Sequence, residues 1–368
     1  MKVSRLELTD FRNYENQTLD FDGGVNVISG DNAQGKTNIL EAIYFFSLGK
    51  SNRARRDIEM IRHNQDCAKI IMEFSDNSRK NSVRAEIFRN KRKVITINDV
   101  PVRKNSELVR RFNAVYFGPE YMGFVKDGPS VRRKNLDILI SQIRPGYISH
   151  LGELKKIIDS KNALLRMDSP NVTMLDIMDE KLALISSDII LSRAEYINKL
   201  SKIAGEIQSD ISNGSEKLDM RYLACVDGAD KLKKEEILKI LKDKIKESRK
   251  REIRLCEAVT GPHRDDIEIL INGKEAKLYA SQGQQKTVVM SEKLAEVRLL
   301  EEETGEIPVL LLDDIMSELD RKRREYILGH IKDMQILITC TDLDDGELSG
   351  NSHRFEVKNG VAVKLGEV

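Results

Sequence analysis

Gly30-Asp31-Asn32-Ala33-Gln34-Gly35-Lys36-Thr37 satisfies every fixed position of the G-x-x-x-x-G-K-[ST] phosphate-binding loop. The flanking residues agree with it. Gly24-Val25-Asn26-Val27-Ile28-Ser29 is short and apolar, as a buried strand requires. Asn38-Ile39-Leu40-Glu41-Ala42-Ile43-Tyr44-Phe45-Phe46 places Ile39, Ile43 and Phe46 on one helical face. In a strand–loop–helix of this kind, loop amides and the helix N-terminus capture anions, and glycine lets the main chain come close to them. Gly30 through Asn38 are therefore the expected contacts to a nucleoside triphosphate. Lys36 would pair the β- and γ-phosphates, and the Thr37 hydroxyl would ligate Mg²⁺.

A second motif stands far downstream. Ile307-Pro308-Val309-Leu310-Leu311-Leu312 is a continuous apolar run, the pattern of a strand buried on both faces of a parallel sheet. It ends in Asp313-Asp314. Asp313 occupies the place of a Mg²⁺-coordinating acid, and Asp314 that of the carboxylate that orients or activates the attacking water. Two acids at a strand end also fit a solvated turn, but their pairing with the phosphate loop favours a site. The catalytic set is then Lys36, Asp313 and Asp314, with Thr37 and Asp313 on the metal.

Composition bounds the remaining possibilities. A chain of 368 residues has room for about two domains and a large core. No apolar stretch approaches the length of a membrane span. The start, Met1-Lys2-Val3-Ser4-Arg5-Leu6-Glu7-Leu8, alternates like a strand and lacks a signal-peptide core. Cys67, Cys225, Cys256 and Cys340 are scattered without C-x-x-C spacing, which fits reduced thiols better than disulfides or a zinc site. Net charge is only +1, so any surface for a polyanion must be local. These features predict a cytoplasmic protein.

The pattern along the chain changes twice. Up to about residue 120 strand signals dominate. Val83-Arg84-Ala85-Glu86-Ile87-Phe88 and Val94-Ile95-Thr96-Ile97 flank Arg89-Asn90-Lys91-Arg92-Lys93 as a hairpin with a basic tip. Helical spacing then takes over, with Leu136, Leu139 and Ile143, and later Leu182, Ile185, Ile189 and Tyr196. Strands return near 257. The expected architecture is an α/β P-loop ATPase head built from both chain ends, 1–130 and 256–368, with a compact helical lobe inserted at 131–255; the next motif and the resemblance it supports imply that the head is of ABC type. The insertion has no heptad run for an extended coiled coil.

A third motif, Ser281-Gln282-Gly283-Gln284-Gln285-Lys286, opens a helix continuing through Thr287-Val288-Val289-Met290. Ser281 reads as an ordinary N-cap. Ser-x-Gly followed by Gln at a helix start is also the signature of ABC-type ATPases, which would put Ser281, Gly283 and Gln284 on the nucleotide. Ser317-Glu318-Leu319-Asp320 follows the acids as the D-loop of that class does.

With these stretches the chain resembles the RecF family of bacterial DNA replication and repair ATPases, relatives of SMC proteins. The resemblance is carried by Leu6-Glu7-Leu8-Thr9-Asp10-Phe11-Arg12-Asn13-Tyr14, the phosphate loop and Gly128-Pro129-Ser130-Val131-Arg132-Arg133. Thr260-Gly261-Pro262-His263-Arg264-Asp265-Asp266, Ala280 to Lys286 and Leu312 to Asp320 complete it. It implies ATP and Mg²⁺ as cofactors, a weak DNA-stimulated ATPase and ATP-dependent homodimerisation. It further implies binding to double-stranded and gapped DNA, and partnership with RecO and RecR in loading recombinase. Two departures stand out. Gln335-Ile336-Leu337-Ile338-Thr339 runs into Cys340-Thr341-Asp342 with no histidine where transporter-type relatives carry one, leaving Thr339 or Thr341 to face the γ-phosphate. Asp314 stands where most ABC ATPases have Glu.

Charge clusters are the looser signal. Arg53, Arg55 and Arg56, with Lys91, Arg92 and Lys93, fit phosphate-backbone binding. Lys231 to Arg254 carries eleven basic and five acidic side chains, but its acids are interleaved, so a solvated helix face explains it as well. The alternative function is an SMC-like chromosome-organising or nuclease-partner ATPase head, which would need a coiled coil.

Overall fold

Alternation of apolar and polar residues makes the N-terminus a strand. β1 (Lys2–Phe11) buries Val3, Leu6, Leu8 and Phe11, turns at Arg12-Asn13 and pairs antiparallel with β2 (Tyr14–Asp20). β3 (Val25–Ser29) leads through the phosphate loop into α1 (Lys36–Leu48). β4 (Cys67–Ser75), β5 (Lys80–Phe88), β6 (Val94–Ile97) and β7 (Val100–Pro101) complete a first sheet, ordered β2-β1-β4-β5-β6-β7 and antiparallel throughout. The hairpin expected around Arg89–Lys93 is present, with Val83 opposite Ile97 and Glu86 opposite Val94. A short α2 (Asn105–Leu108) precedes β8 (Ala114–Phe117), which is buried at every residue.

The middle of the chain is helical, as its periodicity indicates. α3 (Pro129–Ile143), α4 (Pro145–Leu165) and the forty-residue α5 (Val172–Ile211) bury Leu136, Leu139, Ile143, Leu182, Ile185, Ile189 and Tyr196. Pro129 and Pro145 sit in first turns, where a missing N–H leaves no bond unmade. Between α5 and α6 (Lys234–Leu255) lies β9 (Leu218–Leu223), a strand that helical spacing did not announce. β9 pairs antiparallel with β10 (Asp266–Ile271), which pairs with β11 (Lys274–Glu275). α7 (Ala276–Tyr279) and α8 (Gln282–Thr304) follow.

β12 (Val309–Asp313), α9 (Arg321–Gly329), β13 (Ile336–Cys340), β14 (His353–Lys358) and β15 (Val361–Lys364) return to the N-terminal strands. The second sheet runs β15-β14-β3-β13-β12-β8, parallel from β14 to β8 with β15 antiparallel at the edge. Both chain ends therefore build one sheet. β12 and β13 are buried at every position, which is what their unbroken apolar runs encode. The fully buried Gln335 amide accepts from Val3 N at 2.6 Å and donates to Val3 O at 2.6 Å and Asp22 O at 2.7 Å, tying β1 to the start of β13.

This computed structural model describes residues 1–329, 334–341 and 352–365. The chain forms two compact units, Met1–Met122 with Lys293–Val368 and Gly123–Glu292. Residues 256–292, grouped in the sequence reading with the C-terminal end, belong to the second unit. The cause is the β9–β10 ladder, whose partners are far apart in sequence.

Candidate functional site

Parallel register gathers the motifs of the first unit at one sheet edge. Asp313 lies beside Thr339, Thr339 beside Ile28, and Leu312 beside Phe117. The strand ends thus meet at the carboxyl edge, where open α/β sheets bind ligands. The buried Asp313 carboxylate accepts three hydroxyl hydrogen bonds. Thr37 Oγ1 at 2.8 Å and Thr339 Oγ1 at 2.6 Å donate to Oδ1, and the Tyr116 hydroxyl at 2.5 Å donates to Oδ2. Burial, reinforced by the Asp313 charge, holds the Tyr116 phenol far above its ordinary pKa, so it remains a donor. The two residues expected around Mg²⁺, Thr37 and Asp313, are thus in direct contact across 276 positions of sequence.

The loop itself depends on two glycines. Gly30 has φ +144° and Gly35 φ +115°, and a Cβ would collide with the Val357 carbonyl at the first and the Asn13 side chain at the second. The buried Lys36 ammonium donates to Gly30 O and, at 2.9 Å, to Asp31 O, so the loop curls around the lysine head. Asp31, Asn32 and Ala33 are exposed. The Gln34 carbonyl accepts from Asn13 Nδ2 at 2.7 Å, and its Oε1 accepts from Asn359 N at 2.6 Å. Asn38, in the first turn of α1, donates to Asn13 Oδ1 at 2.8 Å.

Asp314 takes φ +52°, in the left-handed region, which aspartate enters more readily than most non-glycine residues. Its N–H is held by Thr339 O at 3.1 Å and Thr339 Oγ1 at 3.0 Å. Thr339 is thereby assigned to the two acids. Thr341 follows the end of β13, and Asp342 lies outside the described residues. Among the described residues no group of three His, Cys, Asp or Glu side chains is spaced to cage a metal. One carboxylate and one hydroxyl beside a phosphate loop suit Mg²⁺, which keeps waters and shares substrate phosphates.

Ser281, Gly283 and Gln284 belong to the second unit, whereas the phosphate loop and the acids belong to the first. Gln284 N donates to Ser281 Oγ at 3.2 Å, and Ser281 N donates to Gln284 Oε1 at 2.9 Å, a reciprocal capping box. The cap and the signature are the same residues, and the cap leaves the serine proton available to an acceptor. His263 lies in the same unit and bonds Ala258 O at 3.0 Å; burial pushes its pKa down to about 4. It secures a turn rather than a reaction.

The chain matches the RecF/RecN/SMC N terminal domain family over residues 2–358. It is 42% identical over 363 residues to the DNA replication and repair protein RecF of Clostridium acetobutylicum, covering 98% of this chain and 99% of that one. The like-named protein of Clostridium perfringens is 40% identical over 362 residues, with the same coverage. This chain belongs to the RecF family. A solved structure of the recombination mediator protein RecF-ATPrS in the RecFOR pathway superposes with TM-score 0.93 at 36% identity, covering 99% of this chain and 98% of that one. An SMC head bound to the C-winged helix domain of ScpA, at TM-score 0.56 and 17% identity, shares the fold over 99% of this chain and 98% of that one.

Around this RecF-family site stand residues to which the sequence reading gave no role. Arg12, at φ +55° in the β1–β2 turn, forms a bidentate pair with the fully buried Glu41 of α1 at 2.7 and 2.9 Å and donates to Glu59 O at 2.7 Å. The Tyr14 hydroxyl donates to Gly35 O at 3.0 Å. The β14–β15 turn supplies Asn359 to Gln34, and a Cβ on Gly360 would sit 2.7 Å from Asn13 O.

The two basic clusters of the first unit converge. Lys93, at the base of the hairpin tip, pairs with Asp57 at 2.8 Å and donates to Gly49 O at 2.5 Å, linking the hairpin to the segment that follows the Arg53–Arg56 loop, while the Lys91 ammonium stands over the Phe88 ring. Arg53 donates to Asn38 Oδ1 at 3.1 Å, so this loop touches the first turn of α1. α6 behaves differently. Lys234 pairs with Asp188, Lys242 with Glu180, Lys244 with Asp227, and Arg249 with Asp176 and Asp179. Much of its basic excess neutralises neighbouring acids. No helix among the described residues is long and apolar enough to cross a membrane.

Proposed function

We propose that this chain is an ATP-driven switch of DNA replication and recombinational repair, acting in the cytoplasm. The observation that carries this reading is the Asp313 carboxylate on the Thr37 hydroxyl, beside a loop wrapped around Lys36. ATP lies along Gly30–Asn38. Lys36 and the α1 amides neutralise its β- and γ-phosphates, and Thr37 and Asp313 hold Mg²⁺. Asp314 orients the attacking water, its backbone fixed by Thr339. Turnover is slow and DNA-stimulated, because the shorter Asp314 replaces a glutamate. Lys36→Arg swaps a point charge for a planar fork and abolishes hydrolysis. Asp314→Asn keeps ATP binding and lowers turnover about 100-fold, the size of a lost general base. Steady-state ATPase and nucleotide binding of both variants test the assignment, and unchanged hydrolysis in both refutes it.

The head is assembled from the two chain ends, and the segment between them forms the second lobe. ATP brings two copies together, with Ser281, Gly283 and Gln284 of one facing the γ-phosphate held by the other. DNA, duplex or gapped, meets the cationic face of Arg55, Arg56, Lys91 and Arg92 through its phosphates. The family names RecF and RecFOR support RecO and RecR as partners in loading recombinase.

A further inference from the structure

Among the described residues, the Tyr116 hydroxyl is the one aromatic donor of three hydroxyls on Asp313, and the one that occupies Oδ2. Nothing in Ala114-Val115-Tyr116-Phe117 marks it: the stretch reads as an apolar strand. The Tyr116 ring is itself confined. Its centroid lies 5.5 Å from Tyr44 of α1 and 6.0 Å from Tyr121 of the 3₁₀ turn Pro119–Phe124. Tyr44 and Tyr121 share a side-chain hydrogen bond, and the Lys293 ammonium stands 4.1 Å over the Tyr121 ring. Lys293 is buried on α8 and pairs with the buried Glu296 at 2.7 Å. Two tyrosine rings from other elements thus flank the Tyr116 ring, and the Lys293–Glu296 pair backs one of them.

That arrangement has a consequence for a carboxylate that serves a cation. A free carboxylate at a strand end rotates about its broad terminal torsion. Thr37 is the hydroxyl expected to turn toward Mg²⁺ when nucleotide binds, which takes one donor from Oδ1. Thr339 also accepts from Asp314 N, so it serves both acids at once. Tyr116 donates to Oδ2, and the Tyr44 and Tyr121 rings packed against its own ring restrain it there. We propose that Tyr116 is a positioning residue that fixes the orientation of the Asp313 carboxylate, with Tyr44, Tyr121 and Lys293 bracing its ring. It acts through Asp313. The inference rests on the reading of Asp313 as the Mg²⁺-side acid.

Tyr116→Phe tests it, because Phe retains the ring and deletes only the hydroxyl. The expected result is a fall in kcat of about tenfold, the order set by one hydrogen bond to a charged acceptor. KM for ATP should stay within about twofold, because Lys36 and the loop amides are untouched, and calorimetric titration of Mg²⁺ into protein holding a non-hydrolysable ATP analogue should show weakened Mg²⁺ affinity. A purely structural Tyr116 predicts otherwise: Phe would match wild type in kcat and Mg²⁺ affinity, and only Tyr116→Leu would be impaired. Wild-type kcat and Mg²⁺ affinity in a folded Tyr116→Phe protein overturn the inference. Should that variant lose its fold, Tyr121→Leu withdraws the bracing ring while leaving Tyr116 intact. It should lower kcat in the same direction, and a wild-type kcat there overturns the inference too. Absence of Mg²⁺-dependent ATPase in the wild-type chain fails the underlying reading instead, so the two failures are distinguishable.

Discussion

Glu41 shows how a single residue of this fold is held. It is fully buried on the helix after the phosphate loop, with the Arg12 guanidinium across both its oxygens and the Ser51 hydroxyl on one of them. Without Arg12 that carboxylate keeps only the Ser51 hydroxyl and the more distant Arg53 at 3.8 Å, and breaking a buried pair costs at most about 3–5 kcal/mol. Arg12→Met is therefore expected to destabilise the first unit by that order in denaturant unfolding, and Arg12→Lys to recover only part, since an ammonium cannot make the bidentate pair. His263 gives a pH prediction. Its pKa falls from 6.5 to about 4 through burial, so the unfolded chain binds the proton more tightly than the folded one. Its contribution is complete above about pH 6.5 and is lost as pH falls toward 4, on the order of 3 kcal/mol. Thermal melts across that window should show the loss, and His263→Gln should flatten it; an equal slope in the variant contradicts the assignment.

Residues also show what the sequence made legible. Lys36, Thr37 and Asp313 stood out because phosphate chemistry demands particular residue types, and the fold brings Thr37 and Asp313 into contact. Tyr116, Asn13 and Asn359 were not, because their proximity depends on strand order. The Tyr116 hydroxyl meets Asp313 only once β8 lies beside β12, and Asn359 meets Gln34 across 325 positions.

Elements act here as braces. The β14–β15 turn presses on the phosphate loop, and Gly360, at φ +73° beside Asn13 O, has no room for a side chain. Gly360→Ala should weaken ATP binding and cost at least about 1 kcal/mol, a strained positive φ adding to the clash; titration calorimetry and thermal melts measure both. In the second unit α4, α5 and α6 meet at the fully buried Lys161, 2.7 Å from Asp179 and 2.6 Å from Glu252. Lys161→Met leaves Glu252 buried without its cation and should destabilise by about 3–5 kcal/mol, whereas Lys161→Met with Glu252→Gln should recover much of the loss. The overlooked β9 belongs to this scale: Leu218-Asp219-Met220-Arg221-Tyr222 does alternate, but a six-residue run between two long helices is short, and its partner strand lies beyond α6.

For the whole molecule, one phosphate loop and one signature helix per chain make the proposed site complete only with a second copy. Closing two cationic faces together would multiply phosphate contacts, so DNA affinity should rise with ATP, ignore sequence and fall steeply with salt. Binding titrations with duplex, gapped and single-stranded DNA at two salt concentrations check this, and equal affinity with and without ATP contradicts it. Ser281→Arg should abolish pairing while leaving ATP binding to the monomer largely intact. The most direct test of the switch is sedimentation velocity at micromolar protein with Mg²⁺ and either ATP or ADP. The expected result is a dimer in ATP, or in a non-hydrolysable analogue, that reverts to monomer in ADP and does not form with Ser281→Arg. A monomer under every nucleotide, with DNA present, would contradict the account.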